Sequence, residues 1–466
     1  MSDPTVRALQ RAIHHSLEYL NGLDSATVNA MADLATVRQR LSKPLGDSPL
    51  DAAQVIDELV ADSQDAIVNC AGGRFFGWVV GGSVPSSLAA DLLTSVWDQN
   101  AGIYASGPAA AVTEEVSGAW LKDLLGLPRD ASFAFVTGCQ MAHFTCLAAA
   151  RHAVLRDRGW NVEEQGLFGA PPIRIISSNQ RHGSTARAIR YLGLGKNSVV
   201  DLPADEQGRL RAADLEAALS QEPDRPTIVL LLAGELCTGA YDPFRELIPI
   251  AKKYRAWVHV DGAFGLWAAA SSRFRHLTEG VEMADSWATD GHKWLNVPYD
   301  SGYAFVRDAS AHQASMSHRE SYLIHSSDAR DQMDWNPEWS RRARGFTTYA
   351  AIRQLGRSGI AQIVDQCCDR ARDLVLGIGA LQGAEVVWEP QINQGLVRFL
   401  DPAGTDHDAR TDAVIARLLA SGEAFFGGTK WRGMRCMRIS VSNWRTSVDD
   451  VQRVIRAVDA ILRAKI

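Results

Sequence analysis

At 466 residues the chain is too long for one small core, and its length suggests two or three structural parts. It is 46% hydrophobic and 22% charged, and a net charge of −6 is spread as both signs throughout. That distribution leaves no basic stripe for nucleic acid and no polybasic anchor for a membrane.

The first stretch, MSDPTVRALQRAIHHSLEYL, reads as an amphipathic helix rather than a secretion signal, because charges interrupt every apolar run. No apolar run approaches about 18 residues, so no membrane span is expected. Helical character continues to about residue 70. Ser48-Pro49 precedes DAAQVIDELVADSQDAI, where Val55, Leu59 and Ile67 are placed on an apolar face. From Phe75 to Pro85, FFGWVVGGSVP is rich in aromatics and glycine, a composition suited to a loop lining a cavity.

Beyond Leu88, short β-branched or aromatic runs alternate with helical patterns. The runs are SFAFVTG (132–138), IRIISSN (173–179), TIVLLLAG (227–234), WVHVDGAF (257–264) and SGYAFVRD (301–308). MAHFTCLAAARHAVLRD and PFRELIPIAKKYR are among the helical stretches between them. Such alternation predicts a mainly parallel sheet covered on both faces, with ligands at the carboxyl ends of its strands. Gly138, Gly234 and Asp261 each close a run, so the candidate chemistry gathers on one edge. After about residue 350 a helix (IVDQCCDRARDLVLGIGALQ), two possible strands (GLVRFL, CMRISVS) and a last helix (DDVQRVIRAVDAILRAK) predict a smaller α+β part.

Seven cysteines (Cys70, Cys139, Cys146, Cys237, Cys367, Cys368, Cys436) are scattered and odd in number, with no C-x-x-C pair. Neither a zinc site nor a disulfide framework is expected, and reduced thiols in a cytoplasm are the simplest reading.

The stretch richest in chemistry runs from His259 to Lys293. Asp261 ends an apolar run, and Lys293 follows 32 residues later in DGHKW. Pyridoxal-phosphate chemistry requires that pair: an amine to join the cofactor aldehyde, and a carboxylate to keep the pyridine nitrogen protonated so that the ring accepts an electron pair. Taken alone, Asp261 is equally an N-cap and Lys293 a surface lysine; the two motifs at this spacing favour the cofactor. Small residues after Asp261, Gly262 and Ala263, leave room for a flat ring against the backbone.

HVDGAF and DGHKW resemble the HVDAA and NPHKW or DPHKW patterns of the group II pyridoxal-phosphate-dependent amino-acid decarboxylases, such as the aromatic-amino-acid and glutamate decarboxylases. The resemblance covers about Arg74 to the C-terminus, including RRARGFTTYAAIRQLG (341–356). It implies that His182, in SSNQRHGSTARA, stacks on the cofactor ring; a capping histidine is the plainer alternative. It places the phosphate at VTGCQMAH (136–143), with Gly138, Cys139 and Gln140 at a helix N-terminus and His292 as a further donor. Here the chain departs from the family's T-S-G-G-[ST]-E-A-N: Cys139, Gln140, Met141 and His143 replace Gly, Ser/Thr, Glu and Asn or Thr. In AGELCTGAYDPF (233–244), Glu235 and Leu236 replace the family's threonines, and Cys237 or Thr238 is left to compensate. Asp290 is expected in a supporting position. Tyr322, in a polar stretch 29 residues after the lysine, matches the mobile-loop tyrosine that protonates Cα; an ordinary loop tyrosine is the alternative.

The resemblance implies the aspartate-aminotransferase fold (fold type I), an α/β protein with a seven-stranded-type, mainly parallel large domain. The expected division is a helical segment over 1–80 packing on a partner subunit, a large cofactor-binding domain over 81–350 and a small α+β domain over 351–466. It further implies a homodimer and, as function, α-decarboxylation of an L-amino acid to an amine and CO2. Phe75, Phe76, Trp78 and Tyr104 suggest a bulky or aromatic substrate side chain, with dimer core as the equal alternative. Other pyridoxal chemistry (aldehyde synthase, transaminase, carbon–carbon lyase) and a non-catalytic relative stay open. No metal, nucleic acid or membrane partner is expected.

Overall fold

The computed structural model describes residues 3–318, 320, 323 and 328–464. The chain divides into two compact units, one of Met1–Val80, Arg370–Glu389 and Leu396–Ile466, the other of Gly81–Asp369 and Pro390–Gly395.

The second unit is built on seven strands: β1 (Ser132–Val136), β2 (Arg174–Ser178), β3 (Val199–Leu202), β4 (Thr227–Leu232), β5 (Trp257–Asp261), β6 (Ser286–Asp290) and β7 (Gly302–Val306). Their order in the sheet is β1-β7-β6-β5-β4-β2-β3. β2 to β6 pair in parallel, and β7 runs antiparallel to both β1 and β6. Every strand except β3 is buried along its whole length, and β1, β4 and β7 accordingly read as near-continuous apolar runs rather than alternating ones. Along β4, Ile228, Val229 and Leu231 have no exposed surface, and each such side chain contributes about 1.5–3 kcal/mol of burial. The carboxyl ends of β1, β4, β5 and β6 share one edge of the sheet, so Gly138, Gly234, Asp261 and Asp290 gather there.

Two strands of this sheet were not legible in advance. β6 reads SWATD and β3 reads VVDL, both short and interrupted by polar residues. β6 is a strand because its neighbours β5 and β7 satisfy both of its edges, a tertiary effect that local propensity does not encode.

The first unit holds β8 (Ala384–Trp388), most of β9 (Gln394–Phe399), β10 (Gly427–Trp431) and β11 (Met434–Ser440), in the order β10-β11-β9-β8. Residues 70–76 are threaded onto its C-terminal part. Asn443 Nδ2 donates to the carbonyls of Cys70, Ala71 and Gly72, and the buried Arg74 guanidinium donates to Ala26 O at 2.7 Å. Phe75 stacks on Phe425 (4.5 Å) and Phe76 on Phe426 (5.2 Å), so both are core residues of this unit. Trp78 is 61% exposed. The expected apolar face of the third helix is only partly realised: that helix, Ala52–Asp62, stops before Ile67, and Val55 and Leu59 are about half exposed. Among the described residues no helix is long and apolar enough to cross a membrane. The seven cysteines are free thiols.

Candidate active site

Lys293 sits in a tight turn after β6, and several contacts fix that turn. Gly291 and His292 donate their N–H groups to Ser301 O (3.0 and 3.3 Å), and Ser301 N–H returns a bond to His292 Nδ1. Tyr303, fully buried, bonds Thr348 Oγ1 at 2.8 Å and fills the space where a side chain at position 291 would go. The His292 ring stacks on Tyr299 with centroids 4.3 Å apart. Against the other side lies the Gly81-Gly82 pair. Gly81 N–H donates to His292 O, Gly82 N–H donates to Asn296 Oδ1 at 2.8 Å, and a Cβ at Gly81 would run into the carbonyl oxygen of Lys293. Gly81 of FFGWVVGGSVP is thus required by close approach to the lysine's own backbone.

Lys293 Nζ is 2.9 Å from Asp290 Oδ2. Burial opposes the ammonium charge, but Asp290 outweighs it and holds the lysine above its ordinary range. The other oxygen of Asp290 accepts the Cys139 N–H at 2.5 Å, at the start of the helix Cys139–Arg156, and lies 3.6 Å from His292 Nε2. Asp290 is therefore at the centre of the site, in direct contact with both lysine and helix N-terminus, rather than in the supporting position expected. The extended Gly138 precedes that helix; a Cβ on it would meet His292 Cε1 at 3.1 Å.

Asp261 ends β5 with 7% of its surface exposed. Its carboxylate accepts from Thr185 Oγ1 (3.2 Å) and Ala263 N–H (3.2 Å), and His143 Nε2 is 3.3 Å away. Burial raises the carboxyl, but His143, with help from His182 and Lys293, overrides this and holds it well below the usual carboxylate range. The thiol of Cys139 lies 3.4 Å from His143 Nε2 and 4.0 Å from Asp261 Oδ1. Burial, then Asp290 and Asp261, push that thiol well above its ordinary value, so Cys139 stays protonated. His259, two residues before Asp261, is lowered to about 3 by burial and by His143.

His182 is exposed and caps the helix Gly183–Tyr191, its Nδ1 accepting from Ser184 N–H at 3.2 Å. The segment 233–244 turns in on itself: Glu235 Oε2 accepts from the N–H groups of Cys237 and Thr238 at 2.8 and 2.7 Å, and Tyr241 Oη donates to Gly265 O at 2.7 Å. Tyr322 lies outside the described residues. Sequence reasoning did not assign Thr185 or the His143–His259 contact. A second polar residue one turn after His182, and the H-x-D alternation on β5, were the available signals.

The residues present suit pyridoxal phosphate. A buried ionised carboxylate and a lysine influence each other electrostatically, Ala263 is small and partly exposed beside the carboxylate, and a side-chain-free Gly138 opens onto a helix N-terminus.

Residues 39–400 match the family described as the pyridoxal-dependent decarboxylase conserved domain. The chain belongs to this family of pyridoxal-phosphate-dependent carboxy-lyases. It is 24% identical over 461 residues to the aromatic-L-amino-acid decarboxylase of Bacillus atrophaeus, covering 97% of this chain and 94% of that one. It is 25% identical over 435 residues to an acidic amino acid decarboxylase of Mus musculus, covering 89% and 78%. The crystal structure of Oryza sativa TDC with PLP and tryptamine superposes with a TM-score of 0.92 at 21% identity, over 100% of this chain and 99% of that one. The fold is accordingly fold type I, and the cofactor is pyridoxal 5′-phosphate.

Proposed function

We propose that the protein removes the α-carboxylate of an L-amino acid with a bulky or aromatic side chain, releasing the amine and CO2. The observation that carries this is the pairing at one sheet edge of a buried ionised Asp261 with Lys293. When bound, the cofactor supplies an aldehyde for the amine and a ring that takes up the electron pair left at Cα. Asp261 offers its carboxylate to the ring nitrogen and favours an N–H there. Lys293 Nζ is the amine donor, and Asp290 Oδ2, at 2.9 Å, is the acceptor for the proton it must lose. Gly138, Cys139, Gln140 and His292 would hold the phosphate; Asp290 already takes the Cys139 N–H, so Gln140 and His292 bear more of that load. His182 covers the ring and Tyr322 delivers a proton to Cα.

The name of the Bacillus relative supports the aromatic preference. Apolar residues left exposed on the helix Pro85–Trp97 (Leu92 44%, Val96 52%, Trp97 49%) support a homodimer. Free thiols suit a cytoplasmic setting. The test is CO2 release from each of the twenty L-amino acids, with the Lys293→Ala protein as control. Aromatic substrates should lead, and Lys293→Ala should lose nearly all turnover together with its visible absorbance. Preferred turnover of glutamate or aspartate would reject the substrate reading, and a label on another lysine after borohydride reduction would reject Lys293.

A further inference from the structure

His143 stands where the family pattern has asparagine or threonine, and the reading above makes no use of it. It is fully buried, one turn after Cys139, with both ring nitrogens engaged. Nε2 is 3.3 Å from Asp261 Oδ2, and Nδ1 is 2.9 Å from His259 Nε2. His259 Nδ1 lies 2.9 Å from Ser286 Oγ, which also accepts Trp257 Nε1–H at 2.9 Å. The sheet explains the file. Trp257, His259 and Asp261 alternate along β5 on one face, and Ser286 of β6 is in register beside His259.

Donor chemistry gives the file a direction. An ionised carboxylate only accepts, so the hydrogen facing Asp261 belongs to His143 Nε2. At the far end an indole N–H only donates, so Ser286 Oγ accepts there and its own hydrogen is available to His259 Nδ1. His259, lowered to about 3, carries a single proton; with the Ser286 hydroxyl facing its Nδ1, that proton sits on Nε2 and is accepted by His143 Nδ1. Every donor then points toward Asp261.

We propose that His143 is a positioning residue: oriented by His259, Ser286 and Trp257, it fixes the Asp261 carboxylate and thereby sets the protonation of the cofactor's ring nitrogen. The proposal rests on the pairing of Asp261 with that nitrogen put forward above. Thr185 and Ala263 also donate to Asp261, but His143 alone links the carboxylate to a polarised chain.

Two substitutions in the full-length holoenzyme cut the chain at opposite ends. His143→Asn puts an amide near the Nδ1 position, where it can accept from His259 but leaves Asp261 with only its Thr185 and backbone donors and no link to the chain. His143→Gln reaches the Nε2 position, where it can donate to Asp261 but leaves His259 unmatched. The readouts are the ring-nitrogen NMR shift of 15N-labelled pyridoxal phosphate and its dissociation constant by equilibrium dialysis. His143→Asn should move the shift toward the unprotonated value and weaken binding about tenfold to a hundredfold. His143→Gln should hold the shift and bind within about threefold of the parent. Equal behaviour of the two variants means that His143 only fills space, and overturns the proposal. If His143→Asn does not fold, Ser286→Ala, which keeps both rings, should shift the nitrogen the same way by a smaller amount; an unmoved shift there also overturns it. Asp261→Asn separates the two layers: a nitrogen that stays protonated in that protein rejects the Asp261 pairing itself, and the proposal with it.

Discussion

A carboxylate out of water keeps its charge only when donors surround it, and Asp261 has Thr185, Ala263 N–H and His143, with the Cys139 thiol at longer range. Asp261→Asn should fold, because an amide of the same shape can retain part of that set, but the ring nitrogen loses its anionic partner. A loss of about 2–4 kcal/mol at the transition state, or about a hundredfold to a thousandfold in rate, is expected in single-turnover decarboxylation. Near-normal rates would contradict the electron-sink role. Tyr322→Phe is the matching test for proton delivery. General acid help contributes about a hundredfold to ten-thousandfold, so removing the phenol should slow amine formation and raise the share of aldehyde formed under oxygen. An unchanged amine-to-aldehyde ratio with unchanged turnover would make Tyr322 an ordinary loop residue.

At the scale of elements, the turn carrying Lys293 depends on what can approach it. Gly81→Ala inserts a methyl group into the Lys293 carbonyl, so the turn or the 81–82 loop must move. The expected cost is about 1–3 kcal/mol in denaturant unfolding. A displacement of about 1 Å in the lysine also costs activity, on the order of a hundredfold. Parent-like stability and turnover would show that the loop yields freely.

How much of this could be read in advance follows the same division. Asp261, Lys293 and five of the six buried strands of the large sheet were legible because β-branched and aromatic runs bounded by polar or glycine residues have a local signature. The helix N-terminus at Gly138 was legible for the same reason. The His143–His259 contact spans 116 positions, and Asp290 reaches Cys139 across 151, so neither has a local signature. Phe75 and Phe76 look like binding residues in sequence, yet stacking partners 350 residues away make them core.

For the molecule as a whole, two buried histidines tie stability to pH. Burial and Arg330 lower His312 to about 3, with Nδ1 against Ser132 Oγ and Nε2–H donating to Trp335 O; His259 is lowered to about 3 as well. Their folded values lie below the unfolded value of 6.5. The unfolded chain therefore binds more protons between those limits. Stability from these groups is fully present above pH 6.5 and is lost as pH falls toward 3. Each histidine should cost about 2 kcal/mol between pH 6.5 and 5. His312→Gln should flatten the pH dependence of the unfolding midpoint over that range, and a slope equal to the parent's would show that His312 does not titrate in unfolding.

The unit that gathers residues 1–80 with 370–389 and 396–466 is assembled from stretches separated by nearly the whole of the other unit. On a ribosome adding about 5–20 residues per second, its first stretch waits on the order of 15–60 s before the rest of its core exists. During that interval Phe75 and Phe76 lack the rings they stack on, and the helices Pro4–Gly22 and Ala52–Asp62 can pack on each other and on the short helix Leu34–Leu41. The nearly continuous unit from Gly81 to Asp369 meets no such delay. The order of synthesis thus gives the lysine-bearing sheet time to close first, and makes the amino-terminal helices the part of the nascent chain most dependent on chaperone cover.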